Sequence, residues 1–365
     1  VTTQHSTPGS TPSADAFYLP ADACRQAQMW LPWPDAPHLQ DSIVALAQAA
    51  AAFGPVRVIA NPGQEKAART ACGVQTVRDV VALAHTSPRL RDIGPTFLVD
   101  GKGGSAAVDW RFNGWGERAP AADATFAHAL LGAVEVRRFR APLTLEGSSF
   151  TADGRGTLLA LSPAIFDPAR NPDLAQLEAF GIFQNWLGVA RVIWLPEAHP
   201  GDTLNTDLRA LAAFISPECV AVTAGEDGTV LARAAAHLAR ARNAQGKFLD
   251  LLRLPAPPRA ESRLRSYTNF VVMNGGILMP AFDAPSDTRA ADMLADVFPG
   301  RVIAPVPAAA LADAGLTLSA LALPHPARLL ERDRATVLPR AAWDQPVPDA
   351  EALLQKYIDM AESET

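Results

Sequence analysis

Residues 150–161 read Phe150-Thr151-Ala152-Asp153-Gly154-Arg155-Gly156-Thr157-Leu158-Leu159-Ala160-Leu161, two short β-runs around an Asp-Gly pair. Asp-Gly between apolar runs favours a tight hairpin, because both central positions of the turn tolerate positive φ. The next stretch carries Leu174, Leu177, Phe180, Phe183 and Leu187 at helical intervals. A further β-run, Val192-Ile193-Trp194-Leu195, follows it. The unit is therefore hairpin, helix, strand.

The same order recurs along the chain. Hairpins are predicted at Phe97 to Trp110 around Asp100-Gly101 and at Phe270 to Met279 around Asn274-Gly275. Further β-runs lie at Val56-Arg57-Val58-Ile59, Val134-Glu135-Val136, Phe248-Leu249-Asp250-Leu251-Leu252 and Val302-Ile303-Ala304. Apart from the first gap, the run starts are spaced by about 55 residues, near the upper end of the periods of propeller-like arrays. A helix over Arg289 to Phe298 returns the chain to its last run, and Ala232 to Arg242 reads as a solvated amphipathic helix. About five repeats result. The alternative, a three-layer α/β sheet, would want longer parallel strands and fewer Asp-Gly hairpins.

Composition limits the function classes. The chain has 365 residues, 48% of them hydrophobic, and a net charge of −6. That suffices for one large domain or two ordinary ones, and one ring of repeats removes the need for two. We expect a disordered lead-in over residues 1–14, a single body over 15–345, and a C-terminal helix (Asp349 to Met360) within a tail over 346–365. Acids and bases are mixed, which disfavours a nucleic-acid partner. No apolar run reaches the length of a membrane-spanning helix. Three separated cysteines, Cys24, Cys72 and Cys219, suggest neither a disulfide framework nor a metal knuckle, so a cytoplasmic location is the expectation. Gly101-Lys102-Gly103-Gly104 lacks the order of a phosphate loop and reads as a turn. The seven histidines show no metal-ligand spacing.

Several segments in order resemble the agmatine deiminase family, the bacterial-type peptidylarginine deiminase branch of the pentein superfamily. They are Leu19-Pro20-Ala21, Trp30-Leu31-Pro32-Trp33-Pro34, Leu90-Arg91-Asp92-Ile93-Gly94-Pro95-Thr96, Val108 through Gly116, and Leu145-Glu146-Gly147-Ser148-Ser149. Arg170-Asn171-Pro172, Val192 through Leu195, Ser266 through Phe270 and Asn274-Gly275-Gly276 continue the match. The resemblance implies a pentein-type α/β-propeller of five pseudo-symmetric ββαβ-like units. It also implies chemistry in which a cysteine thiolate attacks a guanidinium carbon, a histidine moves protons and carboxylates grip the cation. That chemistry calls for no metal and no cofactor.

Carried over residue by residue, the resemblance places Asp92 at a guanidinium-binding aspartate and Glu146 at the glutamate of the reacting centre. Trp110, Arg111 and Asn113 fall on its wall motif, although Trp110 and Trp115 would serve equally as core. The family's Asp-Gly-His-x-Asp-Asn falls on Asn205 through Ala210, which puts Asp207 at the histidine and Arg209 at a second aspartate. Its terminal Gly-Gly-Gly-Asn-x-His-Cys falls on residues ending at Ala320, with Ser319 at the histidine and Ala320 at the nucleophile. Neither Cys nor His occurs from Leu311 to Leu323.

Two functions follow. One is a repurposed enzyme acting on an arginine-derived small molecule in a specialised biosynthetic pathway, with Asp92 and Glu146 orienting the guanidine-like head, Asp207 as acid/base and Arg209 on a carboxylate. The other is a non-catalytic pseudo-deiminase that binds or scaffolds; for either, a homodimer or a pathway partner is the expectation. A deep pocket with converging carboxylates marks the first. A pocket filled by side chains, with Arg209 in an internal ion pair, marks the second.

Overall fold

The computed structural model describes residues 10–329 other than 135 and 261. The expected C-terminal helix and most of the expected lead-in lie outside the described residues. At the start of the described chain, Ser13–Asp15 form a 3-10 turn, and the Ser13 hydroxyl donates to the Gln184 carbonyl at 2.8 Å.

Among the described residues, sixteen strands follow in chain order: β1 (Gln26–Pro32), β2 (Val56–Ala60), β3 (Asp79–Ala82), β4 (Thr96–Val99), β5 (Ser105–Arg111), β6 (Arg137–Thr144), β7 (Phe150–Ala152) and β8 (Thr157–Leu161). Then come β9 (Arg191–Leu195), β10 (Ala212–Phe214), β11 (Cys219–Thr223), β12 (Asp250–Leu254), β13 (Val271–Met273), β14 (Gly276–Ala281), β15 (Val302–Pro307) and β16 (Leu323–Pro326). They form five separate sheets, in the orders β16-β1-β2-β3, β4-β5-β6, β7-β8-β9, β10-β11-β12 and β13-β14-β15. In the last four, an antiparallel hairpin leads through a helix to a strand parallel to its second member. The helices are Phe126–Ala133, Gln176–Leu187, Val230–Leu238 and Pro285–Val297.

The first sheet obtains the same pattern from the two ends of the described chain. Strand β16 pairs antiparallel with β1, and β1 pairs parallel with β2 across the helix Pro37–Ala51. That helix also packs on β15, so the first and last units touch.

The hairpins fall where Asp-Gly and Asn-Gly place them. In the turn between β7 and β8, Asp153 Oδ1 accepts from the Arg155 and Thr157 amides at 2.7 and 2.8 Å. Gly154 sits at φ 70°, and a Cβ there would lie 2.7 Å from the Ala21 amide. Glycine thus lets the loop carrying Ala21 and Asp22 lie against this turn.

Two strands begin later than their apolar runs. Strand β6 starts at Arg137 rather than Val134, because its signal is an alternation in which Phe139 and Ala141 are buried and Arg140 is exposed. Strand β12 starts at Asp250, and Phe248 stays half-exposed beneath the Arg242 guanidinium.

Candidate functional site

Three irregular segments between strands bring the predicted carboxylates together. Asp92 lies on the helical turn Leu90–Ile93, Glu146 immediately precedes the turn Gly147–Ser149, and Asp207 precedes the turn Leu208–Ala210. The first turn packs on the second and the second on the third, and the helix Leu318–Leu321 rests on the first two. All three carboxylates are buried, with Glu146 and Asp207 fully inaccessible.

The chain's own arginines occupy them. Arg89 Nε donates to Asp92 Oδ2 at 2.6 Å, while its Nη2 lies 3.5 Å from Asp207 Oδ2 and donates to Thr206 Oγ1 at 3.0 Å. Its Nη1 donates to the Gly315 carbonyl at 3.0 Å. Burial alone would lower the Arg89 pKa, but the charges of Asp92, Asp207 and Asp202 outweigh it and hold the cation more firmly than in water. Asp92 also accepts from Trp115 Nε1 at 3.0 Å and from the Ser148 amide at 3.2 Å.

Asp207 is fixed on every side. Its backbone amide and that of Thr206 donate to Asp202 Oδ2, its Oδ1 accepts from Asn269 Nδ2 at 2.9 Å, and its Oδ2 accepts from Thr317 Oγ1 at 2.6 Å. Asn269 Oδ1 in turn accepts the Ser319 amide at 2.9 Å. Burial pushes the Asp207 carboxyl up to about 6 against the pull of Arg89.

Glu146 is less well satisfied. Both of its oxygens share one donor, Arg170 Nε, at 2.9 and 3.1 Å, because Arg170 Nη1 goes to Asp167 and Nη2 to the Leu204 carbonyl. With Arg170 Nε and its own backbone as partners, the buried carboxylate has lost more hydration than it regains, so burial pushes Glu146 up to about 7.

These raised values set a pH dependence. A carboxyl whose folded pKa exceeds its unfolded one favours the fold below the unfolded value and loses that advantage as pH rises through the folded value. For Glu146 the window runs from 4.5 to about 7. His199 and His325, both buried and held down at about 4, act oppositely once unfolded rings protonate below 6.5. In urea melts, Glu146→Gln should therefore lose ground to the wild type by about 1.4 kcal/mol per pH unit between pH 6.5 and 5. Parallel profiles would refute the Glu146 assignment.

The remaining predicted residues are placed differently. Trp110 packs edge-on to Phe150 and donates Nε1 to Thr96 Oγ1 at 2.9 Å. Arg111 is exposed, and Asn113 caps the next turn, accepting from the Gly116 amide and donating to the Ala169 carbonyl. Ser319 is fully buried; its carbonyl accepts from Arg91 Nε at 2.8 Å, and its hydroxyl has no partner among the described residues. Arg209 reaches none of the three carboxylates: its Nη2 donates to Asp22 Oδ2 and, at 2.7 Å, to Thr151 Oγ1. Arg209 and Arg91 border a half-open cleft with an empty volume of about 530 Å³ including its mouth.

Arg89, Arg170 and Asp22 were not singled out from sequence. The available signal was physical: buried carboxylates need buried cations. Arg89 lies three residues before Asp92, and Arg170 opens one of the stretches that carry the resemblance.

The thiols offer no nucleophile near this cluster. Burial raises Cys24 and Cys219 to about 12 and Cys72 to about 11, so each stays protonated at neutral pH. Among the described residues, no group of three or more His, Cys, Asp and Glu side chains could hold a metal ion. No described helix is long and apolar enough to cross a membrane.

Comparison with known proteins adds the family. Residues 18–322 match the Porphyromonas-type peptidyl-arginine deiminase family. An agmatine deiminase of Stutzerimonas stutzeri is 33% identical over 340 residues, covering 82% of this chain and 92% of the relative. One from Pseudomonas putida is 31% identical over 360 residues, covering 87% and 98%. Among solved structures, the agmatine deiminase of Enterococcus faecalis superposes with a TM-score of 0.83 at 24% identity, covering 89% of this chain and all of that one. That of C. jejuni superposes at 0.75 and 21% identity, covering 86% and 97%. With the family match spanning most of the chain, and the ββαβ units shared with these folds, the protein belongs to the agmatine deiminase and Porphyromonas-type peptidyl-arginine deiminase family, of the pentein type.

Proposed function

We propose that this chain is a pseudo-deiminase: a family member whose guanidinium-gripping carboxylates serve the fold and whose thiolate chemistry is lost. The five units would stand as a single propeller domain around that closed cluster. The observation that carries the reading is Arg89, whose guanidinium lies 2.6 Å from Asp92 and 3.5 Å from Asp207. A substrate guanidinium would have to displace a tethered cation of the same chemistry, which is already present at high effective concentration. Arg170 on Glu146 repeats the arrangement. Aligned on the family's last motif, the nucleophile's position holds Ala320, and Thr317 to Ser319 already tie that segment to Asp207 and Asn269.

A second reading, a repurposed enzyme acting on an arginine-derived molecule without a thiolate, draws on the raised carboxyls. Asp207 at about 6 and Glu146 at about 7 are tuned toward proton transfer near neutral pH. The protein should be incubated with agmatine, arginine and N-hydroxyarginine, with products sought by mass spectrometry and Asp92→Ala run in parallel. We expect no product and no thermal stabilisation. A product that vanishes in Asp92→Ala would replace the pseudo-deiminase with the repurposed enzyme.

A further inference from the structure

The cleft beside the closed cluster carries its own charge logic. Two largely buried arginines, Arg91 and Arg209, border it and share one carboxylate, Asp22, whose Oδ1 faces Arg91 at 3.5 Å and whose Oδ2 takes Arg209. Asp22 is itself about a quarter exposed. Arg91 also feels the charges of Asp207 and Asp92, whereas burial is the dominant influence on Arg209, so the under-compensated cation at the floor is Arg209. Arg209 is 2% exposed, yet its Nε–H has no partner among the described residues. Two further buried groups nearby are unpartnered: the Ser148 hydroxyl, next to cleft-lining Gly147, and the Ser319 hydroxyl, whose residue is held by Arg91. The turns Gly147–Ser149 and Leu208–Ala210 pack on each other, and the helix Leu318–Leu321 packs on the first. The two hydroxyls both donate and accept and do not line the cleft, but the Arg209 Nε–H can only donate and does line it; a buried donor of that kind is uncommon in native folds and points to a missing acceptor. The rest of the lining is mostly apolar and includes Leu19, Phe97, Phe150 and Leu323.

We infer that this cleft is a binding site for a small molecule with an apolar body and a single carboxylate, which seats its anionic end on Arg209 and Arg91. The ligand's charge is opposite to that of agmatine. The site does not depend on whether any guanidine is turned over, because the proposed closed cluster and the cleft use different side chains. Burial without full compensation holds both guanidinium groups down at about 10, which still leaves them charged at neutral pH. An incoming carboxylate therefore meets fixed cations that have already lost most of their water. A ligand cation would meet two like charges instead.

The test uses hexanoate as probe, with hexylamine and agmatine as cationic controls, in isothermal titration of the full chain. Hexanoate should bind one to one and weaken as salt rises. Arg209→Gln should weaken it by about tenfold or more, as expected for a charge-assisted hydrogen bond. Asp22→Asn, which removes the competing anion, should tighten it several-fold. Should Arg209→Gln fail to fold, Arg91→Gln takes its place and should cost several-fold. Absence of hexanoate binding in both wild type and Asp22→Asn overturns the proposal. So does binding unchanged in the arginine variant, or hexylamine or agmatine binding as well as hexanoate.

Discussion

Arg89→Ala is expected to lower the melting temperature by roughly 10 °C, the largest effect of any single substitution considered. The side chain is 3% exposed and counters two buried carboxylates, Asp92 and Asp207. Removing one partner of a buried pair leaves an uncompensated charge and costs about 3–5 kcal/mol. The loss should be chemically reversible: the truncated side chain leaves a guanidinium-sized space between Asp92 and Asp207. Methylguanidine at millimolar concentration should raise the melting temperature of Arg89→Ala while leaving the wild type unmoved. A variant as stable as wild type would show that Arg89 is not the cation these carboxylates require. Destabilisation without rescue would show that the space closes, and with it the analogy to a substrate guanidinium.

Arg170→Met is expected to be nearly as severe, with a different pH signature. Among the described residues, Arg170 supplies the only side-chain donor to Glu146, and it also bonds Asp167 and the Leu204 carbonyl. With it removed, Glu146 can remain buried only as the neutral acid, so its pKa rises further from about 7. The sign follows directly. Below pH 7 the Glu146 carboxyl is protonated in both proteins, and the difference reflects lost hydrogen bonds. Above it, the wild type ionises Glu146 within the fold and the variant resists. The penalty, of order 3 kcal/mol at neutral pH, should therefore grow by up to about 1.4 kcal/mol per pH unit toward pH 9. Urea melts at pH 6, 7.5 and 9 test this. A penalty that shrinks at high pH would place the proton elsewhere.

The two variants also separate roles within the cluster. Arg89 ties the turn Leu90–Ile93 to the segment before Leu208, whereas Arg170 ties the Glu146 segment to the loop through Leu204. Neither links to the cleft, where Arg209 turns to Asp22 and Thr151 instead.

Much of the fold was legible because its signals are local. Asp153-Gly154 and Asn274-Gly275 make hairpins wherever they lie, and the helix Gln176–Leu187 was legible from Phe183 and Leu187, although Leu174 precedes it and Leu177, on the same spacing, is 81% exposed. Where an apolar run misled at Val134, the strand signal was alternation, which a search for continuous apolar residues passes over. The family resemblance, carried over residue by residue, brought Asp92, Glu146 and Asp207 forward. It could not show that Arg89, three residues from Asp92, also reaches Asp207, over a hundred positions away.

The sequence by itself determined the hairpin–helix–strand repeat, the family resemblance, the three carboxylates and the absence of Cys and His from Leu311 to Leu323. The repeat and the missing Cys and His follow from residue identity and spacing, and the three carboxylates from the resemblance that the ordered segments carry. Only the tertiary structure decided what those carboxylates hold and where Arg209 points. A buried charge is satisfied by whichever partner the fold brings within reach: Arg89, beside Asp92 in sequence, also reaches Asp207 in another unit, Arg170 reaches Glu146 from another turn, and Arg209 takes Asp22 from its loop. Contacts of that kind are set by how the five sheets come together, a property no single segment carries.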